Sequence, residues 1–306
     1  MRVIFFGSPG FAVPALAAVA ADHDVLAVVT QPDRAAGRGK KLAPPPVKEL
    51  ATRLGLPVMQ PATLRTPELA AALAAQRPDL FVVVAYGRIL PPALLEVPVL
   101  GPWNVHASLL PRYRGAAPIQ WAIIRGETTT GVCIMRMEAG LDTGPVAARA
   151  ETPIGAEDTA SSLSGRLADL GAQLLRQTLP AIAAGSVTLV PQDHARATAA
   201  PPLRKEDGRL PFAAAAQQVA AHARGVDPWP GPTAELDGQP IKLFSPRVME
   251  GEGDPGVVLR LAPEGLVVAC GSGAVAFAEL QLPGRRRLGS AALLAGRPIP
   301  AGTRLL

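Results

Sequence analysis

The sequence predicts an α/β protein: a mostly parallel sheet flanked by helices in its N-terminal part, then a smaller β domain. Three observations predict it. The runs Val3-Ile4-Phe5-Phe6 and Leu80-Phe81-Val82-Val83-Val84 are continuously apolar, the mark of strands buried on both faces. Helical segments alternate with such strands at the spacing of βαβ units. Beyond residue 209 the pattern changes to short strands broken by Gly and Pro, as in a small β-barrel or sandwich.

The elements follow in order. Residues 2–7 read as a strand, Phe11 to Ala21 as a helix and Val25 to Thr30 as a second strand. A polar stretch, Gln31 to Pro46, reads as a loop. Helices are expected over Val47–Leu54 and Pro67–Ala75, and the clearest buried strand over Asp79–Val84. Trp103 to His106 reads as a short strand entering a loop, Pro118 to Ile124 as a helix, and Val132–Met137 and Val146–Glu151 as strands. Leu163, Leu167, Leu170 and Leu174 recur at helical spacing, so this segment presents an apolar face. Residues 191–209 lack periodicity and contain Pro201-Pro202, which reads as an interdomain connection. The division expected is therefore 1–190, a connection over 191–209, and 210–306. In the last part a helix is expected over Ala213–Ala223. Strands are expected over Ile241–Phe244, Gly256–Leu261, Gly265–Ala269 and Ala274–Leu280.

Composition narrows the function classes. With 306 residues, 48% of them hydrophobic and 18% charged, the chain can bury a sizeable core and is not disordered. Cys133 and Cys270 are the only cysteines, each alone in an apolar stretch, which argues against a disulfide scaffold or a metal clip. The histidines number four, none paired at metal-ligand spacing, so no metal site is expected. The N-terminal apolar run is too short for a signal peptide or membrane helix, and a cytoplasmic protein without a membrane partner is expected. A formal charge of +5 permits a nucleic-acid partner without requiring one.

The densest chemical signal is Asn104-Val105-His106-Ala107-Ser108-Leu109-Leu110-Pro111-Arg112-Tyr113-Arg114-Gly115. Asn104 and His106 alternate along a strand, so their side chains share a face. In a parallel sheet, ligands bind outside the carboxyl ends of strands. There an amide and an imidazole can polarise a carbonyl and handle a proton; alone, the pair also fits a satisfied core histidine beside a turn former. A second signal, Glu138-Ala139-Gly140-Leu141-Asp142-Thr143-Gly144-Pro145, brackets a carboxylate between glycines. On its own it fits a plain turn. Beside Asn104 and His106, Asp142 supplies an anionic partner for the histidine.

These segments carry a resemblance. Asn104-x-His106, Ser108-Leu-Leu-Pro-Arg112, Arg114-Gly115-Ala116-Ala117-Pro118 and Gly140-Leu-Asp142-Thr143-Gly144 closely resemble the signature of the 10-formyltetrahydrofolate-dependent formyltransferases. Phe6-Gly7-Ser8-Pro9 is similar to that family's first strand and turn. Gln31-Pro32-Asp33-Arg34 with Gly37-Arg38-Gly39-Lys40-Lys41, and Arg204-Lys205-Glu206-Asp207-Gly208, resemble features of the methionyl-tRNA formyltransferases. Arg224-Gly225 followed by Pro228-Trp229-Pro230-Gly231 is similar to the start of their C-terminal domain. The likeness spans nearly the whole chain. Tyr113 stands where a tryptophan is usual, and Arg209-Leu210-Pro211-Phe212 departs from the usual acidic-aromatic run.

The resemblance implies a Rossmann-like catalytic domain and an OB-like β-barrel that contacts tRNA, with Arg285-Arg286-Arg287 as a basic patch. It implies Asn104, His106 and Asp142 as the catalytic set. The donor would be 10-formyltetrahydrofolate and the acceptor the α-amino group of methionine on initiator tRNA, with no metal and a monomeric enzyme. The folate is expected against Tyr86, Gly87, Arg88, Ile89 and Leu90, against Ser108, Leu109, Leu110 and Pro111, and against Glu138, Ala139, Gly140 and Leu141. Arg34, Arg38, Lys40 and Lys41 place positive charge on a Gly-rich segment suited to phosphates, and are expected to grip the tRNA acceptor arm.

Competing readings use less of the sequence. A formyltransferase acting on a nucleotide-sugar amine or glycinamide ribonucleotide has no evident use for the basic segment or the C-terminal domain. A hydrolase releasing formate from the same folate shares the trio. A dinucleotide-binding protein fails on Gly7-Ser8-Pro9-Gly10, which lacks GxGxxG spacing, and on the absence of an acidic residue ending the second strand. A non-catalytic tRNA-binding protein leaves Asn104, His106 and Asp142 without a purpose.

Overall fold

The computed structural model describes residues 1–36 and 41–306, with the side chains of residues 35, 36 and 41 left aside. The chain divides into two compact units: Met1–Pro118, Thr130–Thr152 and Ser164–Pro201 form one, and Ile119–Thr129, Pro153–Leu163 and Pro202–Leu306 the other.

The first half of the chain contains β1 (Arg2–Gly7), α1 (Val13–Asp22), β2 (Asp24–Val29), β3 (Arg34–Ala36), β4 (Lys41–Ala43) and α2 (Pro46–Arg53). Next come β5 (Val58–Met59), α3 (Pro67–Ala75), β6 (Leu80–Val84), α4 (Pro92–Leu95) and β7 (Pro102–His106). They are followed by α5 (Pro118–Ile124), β8 (Thr129–Arg136), β9 (Val146–Pro153) and α6 (Ala160–Ala183). A seven-stranded sheet has the order β5-β2-β1-β6-β7-β8-β9. β5, β2, β1, β6 and β7 run parallel, and β8 joins β7 antiparallel. This is the predicted Rossmann-like arrangement. Central β1 is continuously apolar because both of its faces are covered: Val3 and Phe5 pack with α1, α2 and α6, while Ile4 and Phe6 pack with α3 and α4.

Besides shifts in the bounds of several elements, among them α7 of the second unit (Ala216–Gly225 against the expected Ala213–Ala223), four details differ from the sequence expectations. The first helix begins at Val13 rather than Phe11, after a 3-10 turn over Gly10–Ala12. Pro14 therefore falls in the first turn, where its missing N–H costs nothing. The polar stretch after β2 contains β3 and β4, which pair antiparallel. In α6 the buried stripe runs through Leu167, Ala168, Ala172, Leu175, Leu179 and Ile182, while Leu170 and Leu174 are only half-buried. The shift has a cause at Gly171, where an added Cβ would meet Val105 Cγ1 at 2.8 Å. The helix lies on β7 through a residue that no count of hydrophobic side chains records. Finally, β5, α4 and several elements below were not predicted; at two to seven residues they show no periodicity.

The second unit contains α7 (Ala216–Gly225), β10 (Thr233–Leu236), β11 (Gln239–Met249), β12 (Val258–Ala262), β13 (Gly265–Ala269), β14 (Ala274–Gln281), β15 (Leu288–Gly289) and α8 (Ser290–Gly296). Its sheet has the order β10-β11-β14-β13-β12, with β15 beside β14, and every pair is antiparallel. The sheet curls into a half-barrel around Leu243, Leu266, Val268, Val275 and Phe277, with Val219 and Ala223 of α7 against it. The C-terminal tail links its two edges. Leu306 exchanges backbone hydrogen bonds with Glu235 of β10 at 2.7 and 3.0 Å, and Val258 of β12 donates to Thr303 at 2.8 Å. Unpaired strand edges are thereby covered, as the OB-like expectation requires.

Candidate active site

The site is built on the carboxyl end of β7. Register sets Asn104 beside Val83 of β6 and Met135 of β8, and His106 beside Cys133 of β8. Trp103 and Val105 point to the opposite face, into the core under α1 and α6. Trp103 also donates its indole N–H to the Leu100 carbonyl at 3.0 Å. The strand is thus pinned on one face and presents its amide and imidazole on the other. Asn104 is half-buried, and its side-chain amide has no hydrogen-bond partner among the described residues.

His106 is 5% exposed. Its Nε2 lies 3.0 Å from the backbone carbonyl of Tyr113. A carbonyl only accepts, so Nε2 carries a hydrogen and Nδ1 is the nitrogen left to gain or lose a proton. Nδ1 faces Asp142, 3.7 Å from Oδ2. That same Oδ2 accepts the Gly115 N–H at 2.8 Å. The carboxylate is therefore fixed by the loop that follows β7, although Asp142 itself comes from the loop between β8 and β9.

Both loops hold non-glycine residues in the left-handed region, Tyr113 at φ 62° and Asp142 at φ 51°. Such backbone costs of order 1–3 kcal/mol per residue and persists where surrounding bonds over-determine it. For Tyr113 those bonds are its N–H to Thr198 Oγ1 at 2.9 Å, and the ladder in which Arg114 donates to Thr198 and accepts from Ala200. Gly115, at φ 124°, packs so closely on Ala200 that a Cβ would sit 2.6 Å from its carbonyl oxygen. The arrangement brings Asp142 from one segment to His106 Nδ1 in another, with Asn104 two residues before His106 on the same face of β7.

The residues expected around the folate sort by exposure. Tyr86 is buried and its hydroxyl has no partner among the described residues, nor has Oε1 of Gln31, whose Nε2 donates to the Tyr86 carbonyl at 3.1 Å. Ile89 is 75% exposed and Leu141 59%, two large apolar side chains on strand-end loops. Glu138, Ala139 and Gly140 are exposed, and Leu109 and Pro111 half-buried. Leu90 and Leu110 are buried, Leu110 with Cys133, Met135 and Val146. The Arg88 guanidinium donates to the carbonyls of Pro61 and Ala62, which ties down its turn at Gly87. Ser108 is fully buried and donates to the Arg112 carbonyl at 2.6 Å, so its hydroxyl closes the loop rather than facing solvent.

Of the basic residues, Arg34 is exposed on β3, whereas Arg38, Lys40 and the Lys41 side chain lie outside the described residues. The segment's root is firmly held. Lys48 binds both oxygens of Asp33 at 2.8 Å and Gln60 Oε1 at 2.8 Å, and Gln60 binds Asp33 and the Gln31 carbonyl. These partners hold the Asp33 carboxyl below its ordinary range, Lys48 contributing most. In the second unit Arg285 and Arg286 are exposed. Arg287 instead bonds Glu279, Asp227 and Ser245 and stacks 4.0 Å from the Phe244 ring centroid, an internal brace rather than a free cation. Among the described residues, no group of three His, Cys, Asp or Glu side chains is placed to hold a metal ion, and no helix is long and apolar enough to cross a membrane.

Sequence reasoning missed Gln192, Thr198, Lys48 and Gln60. Their work is done by side-chain-to-backbone and side-chain-to-side-chain bonds, for which neither the aperiodic segments of Gln192, Thr198 and Gln60 nor the polar face of α2 that carries Lys48 gives a sequence signal.

Residues 1–179 match the family described as formyl transferase, and residues 202–298 the formyl transferase C-terminal domain. The chain is 48% identical to the methionyl-tRNA formyltransferase of Geobacter sulfurreducens, over 100% of this chain and 96% of that one. It is 49% identical to the methionyl-tRNA formyltransferase of Sorangium cellulosum, over 99% of this chain and 98% of that one. Among solved structures, the N-formyltransferase of Helicobacter canadensis, in complex with folinic acid and dTDP-3-aminofucose, has a TM-score of 0.69 at 18% identity, covering 90% of this chain and 99% of that one. HypX of Aquifex aeolicus, in complex with tetrahydrofolic acid, has a TM-score of 0.64 at 20% identity, covering 96% of this chain and 47% of that one.

Proposed function

Because the chain belongs to the formyl transferase family, and within it to the methionyl-tRNA formyltransferases, we propose that it moves the formyl group of 10-formyltetrahydrofolate onto the α-amino group of methionine on initiator tRNA. The observation that carries the reading is the meeting of two separate loops at Asp142: its Oδ2 takes the Gly115 N–H and lies 3.7 Å from His106 Nδ1.

The chemistry follows from the atoms. The amine attacks the formyl carbon, and the carbonyl oxygen becomes negative in the tetrahedral intermediate. The unpartnered amide of Asn104 donates to that oxygen, and so does His106 through Nδ1–H, the nitrogen not committed to Tyr113. Donors already aimed at developing charge usually make the largest contribution to acyl transfer. Asp142 stabilises the charged imidazole and accepts a proton from the attacking amine, directly or through one water. The intermediate then collapses: the bond from the formyl carbon to N10 of the folate breaks, N10 takes a proton in exchange, and tetrahydrofolate leaves. No covalent enzyme intermediate is needed, and the Ser108 hydroxyl is not a nucleophile.

The residues fit a folate. Ile89 and Leu141 offer apolar surface to a flat ring, and behind them the Tyr86 hydroxyl and the Gln31 side-chain oxygen are buried polar atoms with no partner among the described residues. We assign Tyr86 to Leu90, Ser108 to Pro111 and Glu138 to Leu141 to this role, with Ser108, Leu90 and Leu110 shaping the walls from within. Arg34, Arg38, Lys40 and Lys41 are assigned to the acceptor arm of the tRNA. Residues 1–190 serve as the catalytic domain, 191–209 as the connection and 210–306 as the tRNA-binding domain. The protein acts as a monomer in the cytoplasm.

A small-amine acceptor is the second reading, favoured by the likeness to the Helicobacter canadensis enzyme. The relatives at 48 and 49% identity over nearly the full chain favour the tRNA. The deciding assay supplies 10-formyltetrahydrofolate with charged initiator tRNA or with a nucleotide-sugar amine. Formylmethionyl-tRNA is expected; turnover of the sugar amine alone would overturn the choice. Arg38→Ala should raise the KM for tRNA and leave folate binding intact.

A further inference from the structure

Gln192 lies outside every motif above, in the stretch that reads as a connection, yet it is 8% exposed. Its Nε2 donates to two carbonyls of the aspartate loop, Asp142 at 2.9 Å and Gly144 at 2.6 Å. Its Oε1 accepts from Nε and Nη2 of Arg114, at 3.2 and 2.8 Å. Arg114 immediately precedes Gly115, whose N–H binds the Asp142 carboxylate at 2.8 Å. One side-chain amide thus joins the backbone on both sides of the bond that fixes Asp142.

We propose that Gln192 is a positioning residue of the active site, a strut that sets Asp142 against His106 by tying the Asp142 loop to the Arg114–Gly115 loop. The proposal rests on the function assigned above. Its physical need is plain. Asp142 is held at φ 51°, where a non-glycine residue relaxes unless its carbonyl and neighbours are restrained. The carbonyl of Asp142 is bound by Gln192, and that of Gly144 also. A primary amide is the one neutral side-chain group that offers two donors to these carbonyls and an acceptor to a guanidinium at once. A carboxylate at this position would keep Arg114 and repel both carbonyls. An apolar side chain of similar length would keep the packing and lose all four hydrogen bonds.

Positioning errors of about 1 Å at a catalytic group cost up to roughly 100-fold in rate. Gln192→Met and Gln192→Glu are therefore expected to lower kcat about 10- to 100-fold while the KM for folate and for tRNA each stay within about twofold. The discriminating readout is the double variant. If Gln192 acts through Asp142, then Gln192→Met costs little further in an Asp142→Asn background; a merely structural role would multiply the two losses. Steady-state kinetics of the full chain, with thermal melting as a folding control, measures all of this. Unchanged kcat in both folded single variants, equal changes in kcat and KM, or fully multiplicative losses in the double variant would each overturn the strut. Should Gln192→Met fail to fold, Gln192→Glu carries the same comparison, since its Arg114 partner is retained. A wild-type protein that forms no formylmethionyl-tRNA overturns the function itself, a result distinct from an active wild type beside unimpaired Gln192 variants.

Discussion

Oδ2 of Asp142 accepts the Gly115 N–H at 2.8 Å and stands 3.7 Å from Nδ1 of His106, so one carboxylate oxygen serves the loop and the imidazole together. Asp142→Asn separates the two duties. The asparagine oxygen can still accept from Gly115, so the loop stays closed, while the negative charge facing His106 is gone. kcat for formyl transfer should fall by about 100-fold or more, with folate binding nearly unchanged. Asn104→Ala should give a loss of similar size, because its amide has no other partner among the described residues. Single-turnover formylation with saturating folate measures both. Full activity in either variant would remove that residue from the catalytic set.

The root of the basic segment gives a second prediction. Lys48 holds both oxygens of Asp33 at 2.8 Å, and Asp33 directly precedes Arg34 at the start of β3. Lys48→Met deletes the central cation of this clasp and leaves Asp33 with Gln60 alone. The KM for tRNA should rise several-fold, and the KM for folate should not move. A parallel rise in both would show that the clasp supports the whole crevice rather than the segment.

The fold was legible where side chains repeat and the site where chemistry clusters. The apolar strands β1 and β6 announced themselves, and Asp142 lies 3.7 Å from His106 although the two come from separate motifs. Gln192 was invisible because a glutamine bonding to backbone carbonyls has no sequence period. Gly171 was invisible for the opposite reason: its contribution is the absence of a side chain. β3 and β4 were read as loop because strands of three residues, each with one basic and two apolar positions, are too short to show an alternation. The Arg285-Arg286-Arg287 triplet looks uniform in sequence, yet tertiary placement spends Arg287 on Glu279, Asp227 and Phe244 and leaves its neighbours exposed.

Gly171 and Gly165 make a paired test on one helix. In an open helix, replacing glycine by alanine gains up to about 1 kcal/mol. At Gly165 an added Cβ meets nothing within 4 Å, so Gly165→Ala should raise the melting temperature. At Gly171 the Cβ would meet Val105 Cγ1 at 2.8 Å, forcing α6 away from β7. Overpacking of this kind costs about 1–3 kcal/mol and outweighs the helix gain. Gly171→Ala should therefore melt lower than wild type, and because Val105 lies between Asn104 and His106, it should also lose activity. Equal melting of the two variants would mean that α6 can shift freely on the strand.

The second unit carries a pH dependence of its own. His222 of α7 is half-buried, and its Nε2 lies 2.6 Å from the Asp207 carbonyl. Nε2 must therefore hold a hydrogen, and protonation has to occur at Nδ1. Burial, the largest influence, lowers its pKa below the ordinary 6.5, although the Asp207 carbonyl and carboxylate pull it the other way. The sign follows from linkage. Below 6.5 the unfolded chain binds a proton that the folded chain resists, so acid favours unfolding. The stability is complete above that value and is lost as pH falls from it to the lower folded value. His222→Gln keeps an N–H donor near Asp207 without a titrating group. Its melting temperature, measured between about pH 5 and pH 7.5, should fall less steeply on acidification than that of the wild type. Identical slopes would assign the acid sensitivity to other groups.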